Sequence, residues 1–104
     1  MRVLVDNQVN VVLREFYKKA LENHVTLTRE TVHAKINRVR SQLHSLGDFP
    51  SKYGFAEYKL DWKRNHYRVF VVEDIHFAYK IIKLKSGEEV VYVIDACHSL
   101  QYHD

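Results

Sequence analysis

The apolar residues of this chain change period at one place, and that change limits the folds open to it. Val9, Val12, Leu13, Phe16, Tyr17, Ala20 and Leu21 recur at steps of three and four, as do Val32, Ile36, Val39, Leu43 and Leu46. Each set marks one face of an amphipathic helix, with Arg14, Glu15, Lys18 and Lys19 turned to water on the first. Thr28 is the expected N-cap of the second helix, and Glu30 stands near the positive end of its dipole. Gly47 is the expected stop, and Pro50 prevents the helix from resuming. Beyond Pro50 the pattern turns toward strands. "YRVFVVED", "IHFAYKIIKLK" and "VVYVIDACH" are rich in β-branched and aromatic residues, with turns expected at Glu73-Asp74 and Ser86-Gly87.

Ahead of both helices, "RVLVD" reads as a first strand. The short link "VTLT" between the helices predicts an antiparallel helical hairpin. The stretch from Ser51 to His66 reads as an irregular loop, with a short strand around Tyr58 to Trp62. The predicted class is therefore α+β: a strand, an antiparallel helical hairpin, then a three-stranded antiparallel meander, with the helices packed on one sheet face.

A length of 104 residues suits a single domain spanning 1–104, and 46% hydrophobic residues suffice for a core. One cysteine, Cys97, excludes an internal disulfide, and its apolar strand predicts a buried thiol. The first ten residues do not resemble a signal peptide, and no run approaches the roughly 20 apolar residues that span a bilayer. A soluble, cytoplasmic protein without a membrane partner is expected.

The net charge of +3 is compatible with a polyanionic partner. Between Lys59 and Arg68, the cations Lys59, Lys63, Arg64 and Arg68 face a single acid, Asp61, and alternate with Trp62, His66 and Tyr67. Such interleaving suits single-stranded RNA, since cations neutralise phosphate and aromatic faces stack on bases. The second helix carries a similar excess in Arg29, Lys35, Arg38 and Arg40, so charge alone does not single out one face.

Seven histidines are present, but no CxxC or HxxxH spacing accompanies them, and no metal site is expected. His24, His33 and His44 read as helix-surface residues. His98 follows the last apolar residues of the final strand. Strict alternation would place Ile94, Ala96 and His98 on one face, with Asp95 and Cys97 on the other. Tyr102 and His103 follow in a tail that reads either as a solvated fray or as a functional end.

Three stretches together resemble the RelE/ParE superfamily of toxins from bacterial type II toxin–antitoxin modules. "LHSLGDFPSKYG" is similar to the family's approach to its sheet. "YRVFVVEDIHFAYKI" is similar to its basic residue followed by two strands. "EEVVYVIDACHSLQYHD" is similar to its last strand and tail. The resemblance covers nearly the whole chain and implies the toxin component of such a module. It implies an antitoxin partner and, in the favoured branch, mRNA on the ribosome as substrate; in the other branch the target is DNA gyrase and nothing is cut. An inactive relative is the third alternative.

For the nuclease branch the resemblance implies cofactor-free attack of a 2′-hydroxyl on the adjacent phosphate. That chemistry needs a base, cations around the phosphorane and an acid for the 5′ oxygen. Arg68 matches the family's basic groove position, where it would stabilise the transition state. His98, Tyr102 and His103 match its terminal histidine or tyrosine, with the alignment among the three left open, and Lys59, Lys63 and Arg64 would hold phosphates. His76 and Tyr79 recur in both branches and read as structural. The chain departs from the family in having no Lys or Arg in "CHSLQYHD" and a longer loop from Ser51 to His66.

Overall fold

The computed structural model describes residues 1–23 and 28–103. Four strands form one mixed sheet: β1 (Arg2–Val5), β2 (Arg68–Val72), β3 (Ile75–Lys83) and β4 (Glu89–His98), in the order β1-β4-β3-β2. β1 runs parallel to β4, while β2, β3 and β4 form the antiparallel meander. Two long helices, α1 (Asn7–Asn23) and α2 (Arg29–His44), and two short ones, α3 (Leu60–Arg64) and α4 (Ser99–Tyr102), complete an α+β fold. His24 and most of the expected "VTLT" link lie outside the described residues.

The helix starts follow from side-chain chemistry. Asp6 accepts the Gln8 amide at 2.9 Å at the head of α1, and Thr28 accepts the Thr31 amide at 3.2 Å at the head of α2. These bonds satisfy donors that the first turn of a helix leaves free. The Tyr92 hydroxyl also donates to Asp6 and, with the Gln8 amide, holds that carboxyl below its ordinary range.

At the far end α2 tightens into a single 3-10 turn, Ser45–Gly47. Gly47 serves here by its lack of a side chain: a Cβ would lie 2.0 Å from the Met1 carbonyl oxygen. The Met1 amino group donates to the Gly47 carbonyl at 3.1 Å, which fixes the start of β1 against the end of α2.

The main core lies between the long helices and one sheet face. Val9, Leu13 and Tyr17 of α1 and Val32, Val39 and Leu43 of α2 meet Phe70, Phe77, Tyr79, Val91 and Val93. A second, smaller cluster covers the opposite face, which we call the outer face. It joins Trp62 of α3 and Tyr102 of α4 to Ala56, Ala78 and Cys97.

Two expectations are corrected, and one alternative for the tail is removed. The segment around Tyr58 to Trp62 contains the helix α3 instead of a strand. A helix of five residues is far too short to stand by itself; Trp62, 0% exposed, anchors it to the sheet by donating its indole N–H to Asp95 Oδ2 at 3.0 Å. Alternation along β4 also fails at one point. Ala78 pairs with Asp95 and Tyr79 with Val93, so Ile94 is an extra residue in a bulge. Ile94 therefore packs with the outer cluster, whereas Ala96 stays in the main core. Finally, the tail is not a fray through Tyr102: Ser99–Tyr102 is helical and Tyr102 is 6% exposed.

Candidate functional site

The outer face brings together side chains from three parts of the chain. His76 projects there because it alternates with Ile75 and Phe77, which enter the main core. α4 lays Tyr102 flat on it, with ring centroids 4.4 Å apart and planes at 20°. Tyr102 also meets Trp62 at 5.8 Å, and its hydroxyl oxygen accepts the Glu57 amide at 3.0 Å. His103 follows on the exposed side, with its ring 4.4 Å from that of Tyr58, which is 50% exposed. Lys59 places its ammonium 5.8 Å from the Trp62 ring and 3.9 Å from Asp61. Lys63 and Arg64 are exposed on α3, which rides on the same face.

The two imidazoles differ in environment. Partial burial, and then the neighbouring His103 and His98, push the His76 pKa below its ordinary value. His76 is thus neutral at neutral pH, with Nδ1 2.9 Å from the Ser99 hydroxyl. His103 stands in solvent contact. Two imidazoles, a phenol and an ammonium on one surface provide candidate proton donors and acceptors and a charge that attracts phosphate.

Not every residue singled out by sequence joins this surface. Arg68 opens β2 on the helix-facing side, where Nη1 donates to the Tyr53 carbonyl at 2.6 Å and the guanidinium lies 4.3 Å from the Phe55 ring. Arg68 pairs with Tyr79, whereas His98 pairs with Ile75. Four residues and two strand steps then put their Cα atoms about 16 Å apart. His98 also faces the helices, its ring 5.3 Å from that of Phe16. Tyr102 and His103 thus share a surface with Lys59, while Arg68 and His98 share none with them. Trp62 is buried and offers no face to a base; Tyr67 is half-buried beneath Lys80, and His66 is exposed.

Sequence reasoning did not assign functional places to His76, Tyr58 and Ser99. Period two from Ile75 supplied a signal for His76, since it leaves His76, Ala78 and Lys80 on the face away from the core. No signal of comparable strength marked Tyr58, which reaches the site only because the following segment is a helix. Cys97 is buried on this face and its thiol is pushed up to about 11 by burial, so it is no nucleophile at neutral pH. Among the described residues there is no group of His, Cys, Asp or Glu arranged to hold a metal ion, and no helix is long and apolar enough to cross a membrane.

No protein-family model matches the chain, and no curated protein matches it.

Proposed function

We propose that the protein is the toxin of a type II toxin–antitoxin module, a RelE/ParE-like chain that cuts messenger RNA on the ribosome through its outer face. The convergence of Tyr58, Lys59, His76 and His103 beside the cations of α3 carries this reading. The element order supports it, since a strand, two helices on one sheet face and an antiparallel meander are what the resemblance implies. The cytoplasm, with a cognate antitoxin as partner, is the corresponding setting.

On this reading Lys59, Lys63 and Arg64 hold phosphates, and Tyr58 offers a face to an unstacked base. One imidazole of the His76 and His103 pair takes the proton of a 2′-hydroxyl. That oxygen bonds to the adjacent phosphorus and the bond to the 5′ oxygen breaks. The other imidazole gives a proton to the departing oxygen, leaving a 2′,3′-cyclic phosphate and a free 5′-hydroxyl. Arg68 takes no part, held as it is by Tyr53 and Phe55.

The test is induced expression followed by mapping of transcript ends. Rapid arrest of translation with mRNA cut in reading-frame register supports the proposal, and the variants H103A and H76A should each abolish the cuts while remaining folded. The distance between Arg68 and His98 favours one other reading, a non-enzymatic inhibitor of DNA gyrase, because the nuclease set implied by the resemblance is not assembled. Intact mRNA with a DNA-damage response would establish that reading and sink the nuclease.

A further inference from the structure

We infer that His98 is a positioning residue: its Nδ1 caps α4, and this cap sets Tyr102 and His103 on the outer face. The resemblance places a proton-transferring side chain near this point of the chain, but the geometry gives His98 a different task. His98 is the last residue of β4, with extended backbone (φ −65°, ψ 146°), and its Nδ1 accepts the Leu100 amide at 3.1 Å. Accepting there requires the Nδ1 lone pair, so the ring proton of the neutral imidazole sits on Nε2. The ring itself rests on Phe16 of α1, on the helix side of the sheet.

Four residues later Tyr102 is stacked on His76 on the outer face. The chain therefore crosses the sheet rim between 98 and 102, and it does so through a helix too short to hold itself. Other contacts also tie α4 down. The Ser99 amide donates to the Asp74 carbonyl at 2.8 Å, the Ser99 hydroxyl meets His76, the Tyr102 hydroxyl oxygen accepts the Glu57 amide at 3.0 Å, and the Tyr102 ring is buried. The His98 cap is the one that bonds the Leu100 amide inside the crossing itself. Its effect on RNA cleavage rests on the proposed function; its effect on the placement of α4 does not.

Three substitutions separate the cap from the ring and from proton transfer. H98N keeps an acceptor at the atom position of Nδ1 and loses the ring. H98F keeps a ring against Phe16 and loses the acceptor, and H98A loses both. Two readouts are independent of activity: hydrogen exchange of the Leu100 amide, and the emission of Trp62, the single tryptophan, which contacts Tyr102. H98N should keep near-native exchange, emission and RNA cleavage. H98F and H98A should speed Leu100 exchange about fivefold or more, as loss of an N-cap does, and reduce cleavage in proportion.

If H98N is as inactive as H98A while α4 remains docked, His98 acts on the substrate and the inference fails. Native-like exchange in H98F overturns it as well, because packing on Phe16 then suffices. If the wild-type protein cuts no RNA, the proposed function falls, and Leu100 exchange with Trp62 emission still decides the role of the cap.

Discussion

Trp62 sits on a helix of five residues that would not form without it. Its indole fills the outer cluster, and its N–H satisfies Asp95, so one side chain supplies both the apolar contact and the polar anchor. W62A should lower the unfolding free energy by about 3–5 kcal/mol, the usual cost of removing a buried aromatic ring, read from a denaturant melt. His76 makes a residue-scale prediction about pH. Its folded pKa lies below the ordinary 6.5, so the unfolded chain binds the proton more readily. This contribution to stability is full above pH 6.5 and is lost as pH falls from there toward the depressed folded value. H76Q should flatten stability against pH across that window, and an unchanged slope in the variant would refute the assignment.

At the scale of elements, the junction of β1 with the end of α2 depends on Gly47. Gly87 has φ +90°, a conformation that favours glycine at the β3–β4 turn, whereas Gly47 is needed because the Met1 backbone passes where a Cβ would be. G47A should cost about 1–3 kcal/mol, as overpacking in a closed site does, and thermal melting of the variant measures it. The bulge at Ile94 is the other element-level device. By inserting one residue into β4 it leaves Val93 and Ala96 in the main core, and it lets Ile94, Asp95 and Cys97 serve the outer face. Asp95 meets Trp62 as a consequence, so the bulge and the seat of α3 are coupled.

At the scale of the whole molecule, the sheet divides the chain into two sides of different character. The long helices close one side with the larger core, and the other keeps exposed imidazole, phenol and ammonium around a small aromatic cluster. If the outer face binds single-stranded RNA, its cations release counterions on binding. The triple variant K59Q/K63Q/R64Q should reduce the slope of log affinity against log salt by about 2, since each phosphate contact contributes about 0.7 for a single strand. Titrations of a short oligonucleotide at several salt concentrations measure this, and an unaltered slope would place the binding surface elsewhere.

The sequence by itself determined the order of the strands and the two long helices, the helix starts at Thr28 and near Val9, the meander, and the burial of Cys97. Periodicity, caps and turn residues act within a few positions of one another, so local physics suffices to read them. The candidate site was only partly legible. Lys59, Tyr102 and His103 were singled out and lie on one face of the sheet, but Arg68 and His98 were joined to them through the family resemblance. Register decided otherwise, since Tyr79 and Ile75 hold those two residues at separate points of the sheet. Tertiary structure likewise decided that Tyr58 to Trp62 leads into a helix, that Ile94 bulges and that the tail is packed. Each of these depends on a partner distant in sequence: Asp95 for Trp62, Ala78 and Tyr79 for the bulge, His76 for Tyr102. A pattern read along the chain carries no record of such partners until the sheet brings them together.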